Sequence, residues 1–232
     1  MLTRNRDTRP DWAALQAAIV DLDGTLVDTL GDFELALNAM LADLQLPPVT
    51  RALIRRLVGK GSAHLIRSVL LHQGVAEGAA LDAAAAAGWA SYQRHYAHFN
   101  GRASELYPGV LSGLDLLRAR GLRLACLTNK PTGFARALLV QKGLAGFFAQ
   151  VFGGDAFERT KPDPLPLRRT CAALGVAPQH TLMLGDSAND ALAARGAGCP
   201  VLLVRYGYNH GAPVEQVDAD GWMDALHEVP AA

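Results

Sequence analysis

Residues 19–28 read IVDLDGTLVD. The apolar run over residues 17–22 has the look of a short buried strand, and it delivers two carboxylates, Asp21 and Asp23, one residue apart at its end. Like charges placed that close, and taken out of water, are costly unless something positive lies between them. A metal ion, a phosphoryl group or both would meet that requirement. Gly24 and Thr25 follow at once, as expected where a chain turns sharply beside a site.

Downstream, the apolar residues Phe33, Leu37, Met40, Leu41 and Leu44 fall at helical spacing over 30–46, and Pro47 and Pro48 stop that helix. A second helix is expected over 50–57. Gly59, Lys60 and Gly61 break the pattern, and Ser62 is expected to cap a helix running to about residue 71. A long helix over 81–99 carries Trp89, Tyr92 and Tyr96. The stretch from about 30 to 100 therefore reads as all helix. From about 106 the texture changes. Helices over 110–120, 134–141, 165–174 and 190–195 alternate with strands over 122–127, 148–152, 181–184 and 200–204. Such alternation implies an α/β fold with a mostly parallel sheet covered on both faces. The strand at 17–22 belongs with that group, so a helical insert interrupts the α/β unit after its first strand.

Composition narrows the function classes. Of 232 residues, half are apolar, and 22 Lys and Arg balance 22 Asp and Glu. Neutrality argues against a dedicated nucleic-acid binder. Cys126, Cys171 and Cys199 include no CxxC pair, which excludes a disulfide scaffold or structural zinc site. Residues 1–11, MLTRNRDTRPD, lead into no apolar signal segment, and no 18-residue apolar run exists. A cytoplasmic protein with no membrane partner is expected.

In open parallel sheets, ligands bind beyond the carboxyl ends of the strands. Four polar clusters fall there: Asp21 with Asp23, Thr128 with Asn129, Lys161 within RTKPDP, and Asp186 with Asn189 and Asp190. Any one of them alone is more simply a turn or helix cap; their convergence is harder to dismiss. Carboxylates in this number suit a hard cation such as Mg²⁺, and Thr and Lys suit phosphoryl oxygens.

The set DLDGT, TNK, KPDP and GDSAND, in that order, resembles the four motifs of the haloacid-dehalogenase-like phosphatases, and the resemblance runs from about residue 17 onward. It implies a Rossmann-like core over 17–29 and 106–232, an inserted all-helical cap domain over 30–105, and a polar N-terminal extension over 1–16. It also implies roles. Asp21 matches the nucleophile that forms an aspartyl phosphate, and Asp23 the general acid and base. Thr128 matches the hydroxyl that holds a transferring oxygen, with Asn129 beside it at the substrate, and Lys161 the cation that offsets the charge. Asp186, the Asp21 carboxylate and the Asp23 backbone carbonyl match the protein ligands of Mg²⁺, with Asp190 behind them.

The implied substrate is a small phosphorylated organic acid, 2-phosphoglycolate, with a sugar phosphate as the alternative and the protein a monomer or homodimer. A mutase is disfavoured, because Gly185 stands where that branch commonly has Glu. Lys60 and Ser62, in VGKGS, are the expected contacts for a leaving-group carboxylate. That string is no Walker A loop: Ile54 stands at its first Gly position, and Lys60 is followed by Gly61.

Overall fold

The computed structural model describes residues 10–230. Its centre is a six-stranded sheet. Strand β1 (Ala17–Val20) lies between β4 (Arg123–Leu127) and β6 (Thr181–Gly185). On one side β5 (Gln150–Phe152) extends the sheet, and on the other β7 (Val201–Val204) and β8 (Gly221–Met223). Every pair is parallel. The alternation of side chains explains why β1 is apolar throughout. Ala18 and Val20 pack with Leu114 of α5 (Val110–Ala119) and Leu138 of α6 (Thr132–Gln141). Ala17 and Ile19 pack with Leu167 of α7 (Leu165–Leu174) and Ala194 of α8 (Ala188–Ala197).

Between β1 and β4 the chain builds a helical insert: α1 (Leu30–Asp43), α2 (Arg51–Leu57), α3 (Ser62–His72) and α4 (Ala79–Phe99). It has its own apolar core, centred on Leu37, Met40, Ile66, Leu70 and Tyr92. The insert leaves through β2 (Val27–Asp28) and returns through β3 (Glu105–Leu106), which pair antiparallel. No helix among the described residues is long and apolar enough to cross a membrane.

Asp32, in the first turn of α1, fixes the return. Its fully buried carboxylate accepts the Gly101 and Ala103 N–H groups, each at 2.7 Å. Lys142 Nζ holds the same segment from the core side, donating to the carbonyls of Gly101 (3.0 Å) and Ser104. Asp32→Ala strands one buried donor, the Gly101 N–H, and frees a part-buried one, the Ala103 N–H, and is expected to cost about 2 kcal/mol. Urea unfolding checks this; a loss below about 0.5 kcal/mol, the level of a bland surface change, would show that Asp32 is not the pin.

Three sequence expectations need correction. Ser62 does not cap α3: Gly61, at φ +87°, occupies that position and draws Ser62 into the first turn, whereas Thr50 does cap α2 by accepting the Leu53 N–H at 3.3 Å. The strand at 201–204 is not the last, because β8 adds an edge. Of the expected extension over 1–16, residues 1–9 lie outside the described residues. The remainder joins the core: Leu15 is buried, Gln16 N–H donates to the His180 carbonyl at 2.9 Å, and Trp12 packs under the Arg120 guanidinium.

Candidate active site

The four polar clusters meet where the central strands end. Beyond β1, the Asp21 N–H donates to the Leu184 carbonyl at 2.9 Å, prolonging the ladder with β6 and fixing the Asp21 backbone. The chain then turns at Gly24, at φ +87°. A Cβ there would fall 2.2 Å from Asp186 Oδ2, so the turn needs glycine both for its conformation and for the approach of Asp186.

Lys161 is the positive centre. Its Nζ, buried with the rest of the side chain, lies 2.9 Å from Asp21 Oδ1 and donates to Asp190 Oδ1 at 2.6 Å and the Leu127 carbonyl at 2.9 Å. The other Asp190 oxygen accepts from Ser187 N (3.1 Å), Ser187 Oγ (2.9 Å) and Asp186 N (3.2 Å), tying it to the start of α8. Gly185 leaves room for this: a Cβ on it would lie 2.3 Å from Asp190 Cγ. Asp186 accepts the Tyr208 N–H at 2.6 Å and the Thr25 hydroxyl at 3.5 Å. Tyr208 also donates its hydroxyl to Asp28 at 2.6 Å.

Oxygens of Asp21, Asp186 and Asp190 lie within 4.8 Å of one another. Burial pushes the Asp21 carboxyl up to about 7, with the Lys161 charge opposing. Burial likewise raises Asp186 well above the carboxylate range, reinforced by Asp190 and Asp21. Burial works to depress Lys161, but the Asp190 and Asp21 charges outweigh it and hold the ammonium above its ordinary value. Lys161 pairs with two of these three carboxylates, Asp21 and Asp190, and its single charge leaves two negative charges in the group uncompensated when all are ionised. A divalent cation among oxygen donors cancels that excess, so the donor set fits a hard metal ion.

The same pocket is lined by a second cation, Lys130, quoted in TNK without a role. Lys130 is buried, and its Nζ donates to Asp23 Oδ1 at 2.9 Å and to the Tyr96 hydroxyl of the insert. It also lies 4.7 Å from the ring centroids of both Phe33 and Tyr96. Neither partner is near it in the chain, so no local periodicity could have marked it. Thr128, which lines the same pocket, accepts the Lys130 N–H on its Oγ1 at 3.2 Å, which leaves its own O–H free to donate.

The other expected substrate contacts separate. Asn129 lines the pocket, but its amide is engaged by backbone: it donates to the carbonyls of Lys161 (2.8 Å) and Gly59 (3.0 Å) and accepts the Lys161 N–H (3.0 Å). Asn189 donates to the same Gly59 carbonyl at 3.2 Å, so two core amides grip one loop of the insert. Ser62 lines the inner pocket with Asp21, Asp23 and Thr128. Lys60 is exposed and lines an outer cleft of about 730 Å³ between insert and core, with Trp89 and Phe134.

Comparison with known proteins agrees with this geometry. The family model for haloacid dehalogenase-like hydrolases matches residues 15–198. A phosphoglycolate phosphatase of Thiobacillus denitrificans is 42% identical over 215 residues, covering 92% of this chain and 93% of that protein. A plasmid-encoded phosphoglycolate phosphatase of Cupriavidus necator is 43% identical, covering 93% and 91%. Among solved structures, the crystal structure of a predicted phosphoglycolate phosphatase from Haemophilus somnus superposes with a TM-score of 0.86 at 32% identity, covering 93% of this chain and 96% of that one.

Proposed function

Because the chain belongs to the haloacid dehalogenase-like hydrolase family, we propose that it hydrolyses 2-phosphoglycolate to glycolate and phosphate through a phosphorylated Asp21. The observation that carries the reading is the pairing of Asp21 with Lys161, and of Asp23 with Lys130, in the lining of one pocket. Relatives named phosphoglycolate phosphatase, alike over nine-tenths of the chain, support the substrate.

The chemistry runs in two displacements. An Asp21 oxygen attacks phosphorus while the bond to the glycolate oxygen breaks, and Asp23 gives its proton to the departing alkoxide. Asp23, now a carboxylate, takes a proton from a water molecule as that water attacks the aspartyl phosphate. Inorganic phosphate leaves, Asp21 is regenerated, and Asp23 has its proton back. Lys161 offsets charge on Asp21 and the transferring group, and the Thr128 hydroxyl donates to one of its oxygens. Asp190, held by Ser187 and the backbone, keeps Lys161 aimed. Asp21, Asp186 and the Asp23 carbonyl would hold Mg²⁺. When bound, the ion screens the repulsion between the nucleophile and the phosphate.

The helical insert serves as the cap in this reading, closing over the crevice on the β2–β3 hinge to exclude water. The Gly59 carbonyl, gripped by Asn129 and Asn189, is the latch of the closed form.

Phosphate release from a panel of esters, with and without Mg²⁺, tests the proposal. Activity should vanish with a chelator and return with Mg²⁺, and kcat/KM for 2-phosphoglycolate should exceed that for hexose and pentose phosphates by at least about tenfold. A sugar phosphate at the head of the panel would overturn the substrate. Full rate in protein shown by elemental analysis to be metal-free would overturn the metal requirement.

A further inference from the structure

Building on that reading, we propose that Lys130 is the specificity-determining residue that receives the carboxylate of the leaving group, with the Tyr92 hydroxyl as a second donor. The chemistry of the substrate fixes where such a residue must be. In an α-phosphooxy carboxylate a single methylene separates the ester oxygen from the carboxylate carbon. When the ester oxygen meets Asp23, the carboxylate therefore lies within a few ångströms of Asp23. Lys130 Nζ is 2.9 Å from Asp23 Oδ1. Of the two lysines lining the inner pocket, Lys161 is engaged by Asp21, Asp190 and the Leu127 carbonyl, on the nucleophile side. Lys130 stands on the leaving-group side. An ammonium has three N–H donors, and the hydrogen bonds of Lys130 to Asp23 and Tyr96 use two of them.

A second observation points to the same place. The Tyr92 hydroxyl is buried with its bonding incomplete: it has no partner at full hydrogen-bond geometry, and the Ser62 side chain is the hydrogen-bonding group that approaches it. Its ring stacks on Tyr96 with centroids 5.2 Å apart, next to the ring that Lys130 faces. The Asp23 charge and the Ser62 side chain both act on that hydroxyl, secondary to its burial. Phe33, Val58 and Leu65 complete the wall of the inner pocket. They suit a methylene, and they would leave the hydroxyl groups of a sugar without partners. Lys60, the cation the sequence suggested for this task, faces the outer cleft instead.

The test compares 2-phosphoglycolate with its amide, which has nearly the same shape and no carboxylate charge. The parent protein should prefer the acid by about 100-fold in kcat/KM, in line with a charged hydrogen bond and a second donor. Lys130→Met should reduce that preference to about threefold or less. Lys130→Arg, which keeps the charge, should retain most of it, and Tyr92→Phe should reduce it by about tenfold. The ratio is the informative quantity, because damage to folding or to the placement of Asp23 slows both esters together. An unchanged ratio in Lys130→Met would overturn the assignment. Should that variant fail to fold, an unchanged ratio in Tyr92→Phe overturns it. A parent protein with no preference for the acid would instead defeat the phosphoglycolate reading on which the assignment rests.

Discussion

Asp21→Asn should release no phosphate above about 10⁻⁴ of the parent rate while remaining folded, since removal of a covalent nucleophile typically costs that much or more. The amide matches the carboxylate in shape but cannot form the acyl phosphate. Folding should not suffer in metal-free protein, and the sign can be worked out. Burial raises the Asp21 carboxyl from 3.8 to about 7, so the folded chain holds that proton more tightly than the unfolded chain does. Ionising it therefore withdraws stability as the pH climbs through that interval. The neutral amide escapes the loss, so above neutrality the metal-free variant should melt no lower than the parent. Phosphate release, mass spectrometry for a trapped phosphoenzyme in the parent, and thermal melts across pH make the test. A folded variant with near-normal rate would remove Asp21 from the nucleophile position.

Asp23→Asn should slow alkyl phosphate esters by about 10²–10⁴, the usual worth of a positioned acid and base. With nitrophenyl phosphate the two displacements should come apart. Nitrophenolate leaves without a proton, so one equivalent should appear in a burst. Turnover should then stall, because the water attacking the aspartyl phosphate has lost its base. The substitution also alters the group that the buried Lys130 ammonium contacts at 2.9 Å, so some loss of stability should accompany it. Absence of a burst in a folded variant, alongside an unaltered steady rate with alkyl esters, would contradict the assignment of Asp23.

The residues that carry the proposed bond-breaking were legible because each sits just past a strand whose apolar run is unmistakable. Asp21 follows β1, Thr128 follows β4 and Asp186 follows β6, and parallel topology brings those ends together. Lys130 was not legible in its role. Its partners Asp23, Phe33 and Tyr96 lie in the first strand–turn, α1 and α4, and only the folding of the insert onto the sheet brings them together. Asp32 was hidden for a similar reason: a carboxylate in the first turn of a helix ordinarily faces water, and nothing local says that its acceptors will be needed by Gly101 and Ala103. The shortest strands escaped because two or three residues, as in β2, β3 and β8, are too few to show a period of two.

The antiparallel rungs joining Val27 to Leu106 and Asp28 to Glu105 have a consequence for ancestry. Seventy-odd residues depart and return through neighbouring positions, so the sheet feels little more of the insert than a doorway two rungs wide. The entropic cost of closing such an excursion grows only with the logarithm of its length, about 0.6 kcal/mol for each doubling. Recombination could therefore exchange the whole excursion for a longer or shorter one and leave the strand ends undisturbed. Descendants of such an exchange would acquire new walls in place of Phe33, Val58 and Leu65, yet each would inherit the ammonium of Lys130 from the other side of the doorway. Lineages derived from this scaffold by that route should diversify in the size of the alcohol they release sooner than in its charge.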